Sequence, residues 1–262
     1  MTSSLKAHAK TLKTPSVIKP MPAIQIDAPS LKSWGQKWLG TKGSLNAAEQ
    51  PRPKAANSFD RKQAMDVGLV FDRAFANALA EMLGGISVRE PEHDSLLPPH
   101  PNCVELGKTR VVGGIRPQNY DAAYRPDGPR VVYDSKTLNE RKSIGKNWQN
   151  MVNDLATEAT TVHTRFPFCI VCFFVIVPRP ALQVNQERAL IRTLERLGSR
   201  GDELDQNHLA EAISLIIWEP QDGSIHSGTP QPGSNLRLDT MHERIYPAYL
   251  DRYKNLPPHE AE

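Results

Sequence analysis

The sequence predicts an α/β domain, a central mixed β-sheet flanked by helices, and three stretches carry that prediction. Residues 168–177, FCIVCFFVIV, are almost wholly apolar and lie between Pro167 and Pro178, as a strand covered on both faces requires. Residues 147–164 repeat apolar side chains at helical spacing, with Trp148, Met151, Val152, Leu155, Ala159 and Val162 on one face. Residues 116–136 read RPQNYDAAYRPDGPRVVYDSK, two runs rich in Tyr, Val and Ala around the cluster Pro126, Asp127, Gly128 and Pro129. That is the pattern of an antiparallel hairpin.

The remaining elements fall into order around these three. Ser58 or Asp60 can cap a helix whose apolar positions Val67, Phe71, Ala74, Phe75, Ala78 and Met82 recur every three or four residues, ended by Gly84 and Gly85. Residues 86–103, with Pro91, Pro98, Pro99 and Pro101, form an irregular segment able to reach across a partner, and residues 104–112 form a first strand. After the hairpin a polar loop holds Asn139, Arg141, Lys142 and Lys146. Past the apolar strand come a helix over 186–197, a strand over 212–218, a turn at Gln221, Asp222 and Gly223, and a last helix over 239–253. No internal repeat interrupts this order.

At 262 residues the chain can build one domain with a sizeable core. No apolar run reaches membrane-spanning length and no apolar leader core begins the sequence, so a soluble cytoplasmic protein is expected. Cys169 and Cys172 mimic a CxxC pair, but their odd separation puts them on opposite faces of a strand, and no second Cys or Cys/His set completes a zinc site. Buried, reduced thiols are expected.

The net charge of +3 hides an asymmetry. Residues 1–60 carry nine Lys and Arg against Asp27, Glu49 and Asp60, a net of +6, and are rich in Pro, Ser and Ala. They are expected to form a disordered basic tail, serving either nucleic-acid encounter or solubility, ahead of a domain over 61–262. Residues 108–146 hold nine basic residues against four acids, so basic charge also gathers around the hairpin.

Within the hairpin Asp121 lies on the incoming strand and Asp134 on the outgoing one, followed by Ser135 and Lys136. Strand alternation puts Asp134 and Lys136 on one face while Ser135 points away. Two carboxylates and an ammonium converging there make a hard oxygen site for a divalent ion, chemistry suited to a phosphodiester. An Asp followed after a turn by Asp-x-Lys resembles the signature of the PD-(D/E)XK nuclease superfamily, which includes the type II restriction endonucleases. The Pro that usually precedes the first Asp is replaced by Tyr120. The resemblance covers residues 61–220 and implies a restriction-endonuclease-like core.

It also implies an endonuclease that uses Mg²⁺ to hydrolyse double-stranded DNA to 5′-phosphate and 3′-hydroxyl ends. Asp121, Asp134 and the carbonyl of Ser135 would hold the ion, and Lys136 would orient the attacking water or stabilise charge developing on the phosphate. The first helix of such nucleases often supplies a glutamate, for which Glu81 is the candidate; an acid on the helix after the signature can join the site, for which Glu158 is the candidate. Arg116, Arg125, Lys142 and Lys146 would offset the repulsion between carboxylates and phosphates. Double-strand cleavage at a symmetric site would favour a homodimer. Two alternatives stand beside this reading: a DNA-binding protein that keeps the fold without cleaving, and a structure-specific nuclease of repair or recombination. His163, His226 and His242 have no suitably spaced partners and read as surface or helix-edge histidines.

Overall fold

In the computed structural model, residues 17–40, 56–100, 102–179 and 182–259 are described. Their elements are α1 (Ala28–Leu39), α2 (Arg61–Met82), β1 (Ser87–Arg89), β2 (Cys103–Val112), β3 (Pro117–Tyr124), β4 (Val131–Thr137), α3 (Ile144–His163), β5 (Ile170–Pro178), α4 (Val184–Leu197), β6 (Ala212–Trp218) and α5 (His242–Tyr253). The six strands form one mixed sheet in sequence order. β1 and β2 are parallel, β2, β3 and β4 are antiparallel, and β4, β5 and β6 are parallel. The expected α/β sheet flanked by helices is therefore present.

β5 shows why an unbroken apolar run is needed at the centre. Ile170, Cys172, Phe174 and Ile176 enter the cluster under α2 and α5, whereas Cys169, Val171, Phe173, Val175 and Val177 enter the one under α3 and α4. Strand alternation delivers apolar surface to both layers only if both parities are apolar. The two cysteines fall on opposite faces, free and buried.

Helix α2 starts where its capping chemistry dictates. The Asp60 carboxylate accepts from Gln63 N at 2.8 Å, and the Gln63 amide oxygen accepts from Asp60 N at 3.1 Å. Such a box satisfies two otherwise orphaned donors, the side-chain cap alone being worth about 1 kcal/mol. Gly84 and Gly85, at φ 93° and 80°, turn the chain out of the helix. On the opposite layer, α3 buries Met151, Leu155, Ala159 and Val162, with Trp148 and Val152 packed at the margin.

The N-terminal expectation needs correction for residues 17–40. Asp27 caps α1 by accepting from Ser30 N at 2.9 Å, and Met21, Ile24, Leu31 and Trp38 are all buried. A Cβ on Gly35 would lie 1.8 Å from the Pro220 carbonyl oxygen, so α1 seats against that loop only because residue 35 has no side chain. The Trp38 indole donates to the Asn139 carbonyl at 2.7 Å, tying α1 to the loop after β4. Residues 1–16 and 41–55 of the expected tail lie outside the described residues, as does Pro101.

Candidate active site

The sheet splits where Asp121 and Asp134 stand. β3 and β4 pair only from Ala122↔Tyr133 to Tyr124↔Val131. Beyond that step β3 stays with β2 and β4 stays with β5. A backbone N–H released from its ladder needs another acceptor, and Asp121 supplies it: its Oδ2 accepts from Ser135 N at 3.0 Å and from Ser135 Oγ at 3.1 Å. Ser135 thus enters the site through its N–H and hydroxyl.

On the α3 side of the split, Lys136 Nζ donates to Asp134 Oδ2 and, at 2.8 Å, to Glu158 Oε1. Glu158 is buried; Gln118 Nε2 also donates to its Oε1 at 3.2 Å, and Tyr120 donates to its backbone carbonyl at 3.0 Å. Its other oxygen, Oε2, is buried without a hydrogen-bond partner. On the α2 side, Asp72 accepts from the Tyr133 hydroxyl at 3.1 Å, and Phe75 fixes that tyrosine by stacking on its ring at 4.1 Å.

Asp72, Asp121 and Asp134 hold their protons unusually tightly. Burial and then the charge of Asp121 push Asp72 up to about 7; burial and then Asp134 push Asp121 up to about 7. Burial raises Asp134 to about 7 as well, with Lys136 opposing and Glu158 adding to the rise. Burial alone would lower the Lys136 pKa, but Asp134 and Glu158 drive it upward, so the ammonium keeps its proton. One cation faces four buried or half-buried carboxyls, and for Asp72, Asp121 and Asp134 burial favours the neutral form.

The structure brings Asp121, Asp134, Ser135, Lys136 and Glu158 together and adds Asp72, which the sequence reading missed. Glu81 requires correction: it is exposed near the end of α2, nine residues or roughly 13 Å of helix rise beyond Asp72. Arg125 also requires correction. It is buried, donating to both Glu105 carboxylate oxygens and to the carbonyls of Arg110, Ser95 and Leu97, so it anchors the proline-rich segment and has no face left for a phosphate. Arg116, Lys142 and Lys146 are exposed. His163 is buried instead of lying at a surface, its two ring nitrogens 3.0 Å from the carbonyls of Asn207 and Cys169.

A cleft of about 550 Å³ opens onto this vertex between α2 and the β2–β3 hairpin, lined among others by Arg61, Met65, Asp72, Lys108, Asp121 and Ser135. Among the described residues no three His, Cys, Asp or Glu side chains are drawn together as a ready-made ion cage. The donor chemistry nevertheless fits a hard divalent cation: Asp72, Asp121, Asp134 and Ser135 offer oxygens, and burial followed by the repulsion among neighbouring carboxyls raises Asp72 and Asp121, a penalty that a bound cation would relieve. No described helix is long and apolar enough to cross a membrane. Comparison of the chain with protein-family models, curated proteins and solved structures finds no match.

Proposed function

We propose that this chain is a Mg²⁺-dependent endonuclease of the PD-(D/E)XK kind, cutting double-stranded DNA to 5′-phosphate and 3′-hydroxyl ends in the manner of a type II restriction endonuclease. The observation that supports this best is the split between β3 and β4, with Asp121 and Asp134 at its vertex and Lys136 held between Asp134 and Glu158. Asp121, Asp134 and an oxygen of Ser135 would hold the ion, with Asp72 close behind. When bound, Mg²⁺ would polarise a phosphate oxygen and make a water more acidic.

The chain's own groups divide the remaining work. Lys136 keeps its proton against two carboxylates, so its role is that of a cation that stabilises negative charge growing on the phosphate, not of a base. The unpaired Oε2 of Glu158 leaves one buried acceptor beside that ammonium, which a water admitted with the substrate would fill. Ser135 holds Asp121 in place through two donors, which fixes the carboxylate before substrate arrives. Incubating supercoiled plasmid with the protein, with and without Mg²⁺, and mapping the ends tests the proposal. Discrete fragments indicate restriction, whereas cuts confined to branched or damaged DNA indicate a repair or recombination nuclease.

One observation favours the non-cleaving alternative. Lys136 already neutralises Asp134 internally, an arrangement that a binding protein could retain as structure alone. DNA binding without any Mg²⁺-dependent cutting would select that alternative.

A further inference from the structure

β2 is irregular at one point, and that point faces Asp121. Its register on β3 steps from Leu106↔Ala122 to Thr109↔Tyr120, so Gly107 and Lys108 together oppose the single residue Asp121. This is a β-bulge, a feature that re-aims side chains and recurs beside active sites. Gly107 has φ 129°, and a Cβ there would press Pro91 at 3.2 Å; the bulge is therefore built on a residue that tolerates it.

The consequence for Lys108 follows from strand alternation. In an unbroken ladder residue 108 would pair with Tyr120 and share its face, and Tyr120 points into the core under α3. The extra residue gives that position to Thr109, which is fully buried, and releases Lys108 to the surface. Lys108 then lines the same cleft as Asp121, Asp72 and Ser135, and α2 brings Arg61 to the cleft as well. These are the two cations of the lining, both exposed, and neither is engaged in an ion pair among the described residues. The cleft also carries the carboxyls of Asp66, Asp72 and Asp121, so a polyanion entering it needs cationic contacts close by.

We infer that Lys108 and Arg61 form a phosphate clamp, so that a DNA strand enters between α2 and the β2–β3 hairpin with its backbone held on either side of the bond to be cut. The inference rests on the nucleic-acid reading above. Fluorescence anisotropy of a fluorescein-labelled duplex, titrated in Ca²⁺ to suppress cutting and over a range of KCl concentrations, tests it. Lys108→Ala and Arg61→Ala should each weaken binding and flatten the plot of log affinity against log salt by about 0.9, the release accompanying one phosphate contact. Lys108→Arg should keep the parental slope, and inorganic phosphate at matched ionic strength should not displace the duplex.

Both side chains are exposed, so unchanged thermal unfolding is expected and verifies that each variant is folded. A parental salt slope in both Ala variants would overturn the clamp while leaving the nuclease reading standing. Displacement by inorganic phosphate would also overturn it, making the cleft a site for one phosphoryl group. Failure of the parent protein to bind any duplex would remove the nucleic-acid reading and the clamp with it.

Discussion

Two buried acid clusters lie at opposite ends of the parallel strands, and they are balanced in opposite ways. At the start of β6, Glu211 accepts from Arg200 at 2.7 Å, Arg252 at 2.8 Å and Val171 N at 2.8 Å, with His163 Nε2 at 3.5 Å. Burial would raise its pKa, yet His163 and Arg252 hold it at about 2. At the end of β4, Asp72, Asp121 and Asp134 are pushed up to about 7 with Lys136 as their near cation. Depth is similar; the supply of donors is not. Burial of charge alone does not mark a functional site, because structural clusters are buried too. What distinguishes the β4 cluster is charge left unmet and a cleft leading to it.

The sharpest way to break this comparison is to delete one member from each cluster. Asp134→Ala or Lys136→Ala should abolish Mg²⁺-dependent plasmid cleavage and leave a cooperatively folded protein. Undiminished cutting by either variant would remove these residues from the chemistry. Glu211→Ala should do the reverse, costing about 3–5 kcal/mol because Arg200 is left buried without its carboxylate and Arg252 keeps only Glu203. Urea titration reads that loss. A Glu211 variant as stable as the parent would show that the cluster is not structural.

A second deletion probes the strap that reaches the β4 end. Trp38→Ala should cost about 3–5 kcal/mol, since a fully buried indole is lost. Removing residues 1–57 should likewise destabilise the domain, because Met21, Ile24 and Leu31 leave the core with it. A truncated protein with an unshifted urea midpoint would count against α1 as part of the fold.

The sequence made the β4 cluster legible in proportion to how local its signals are. Asp121, Asp134 and Lys136 sit within one hairpin, and alternation alone puts the last two on a shared face. β5 was marked by an unbroken apolar run and α3 by a strong helical period. Asp72 was missed because it lies among apolar residues on the first long helix, although its spacing to Gly68 and Ala76, both buried, places it on the core-facing side. Arg125 was misread because its partner Glu105 becomes a neighbour only through the β2–β3 register, which pairs Glu105 with Ala123. Helix α1 was hidden by composition: Leu31, Trp34 and Trp38 follow a helical period after Asp27 and Pro29, but a basic, Ser- and Pro-rich surround diluted it. The bulge at Gly107 could not be read without the partner strand.

Glu158 offers a finer division between the clusters, since its pairing with Lys136 resembles the ion pairs of Glu211. Glu158→Gln keeps an acceptor for Lys136 and removes one charge. If the glutamate serves the chemistry, the cleavage rate should fall at least about tenfold, roughly 1.4 kcal/mol of transition-state stabilisation. A rate within twofold of the parent would assign Glu158 to structure, alongside Glu211.

The smallest effect tests the unmet charge itself, in the absence of divalent cations. Asp121 has a folded pKa of about 7 against an ordinary value of 3.8, so between these pH values the native state binds more protons than the unfolded chain. Its contribution to stability is present at low pH and is lost as pH rises through about 7. Asp121→Asn keeps an acceptor for Ser135 and cannot ionise, so it escapes that loss. The melting temperature of the variant relative to the parent should therefore climb between pH 5 and pH 8, by about 2–4 °C if the relief is near 1 kcal/mol. Added Mg²⁺ should narrow the gap at pH 8, because the ion stabilises only the protein that still carries the full carboxylate set. A gap that stays constant across the pH range would mean that Asp121 ionises without penalty, and the contrast with Glu211 would then lie in geometry alone.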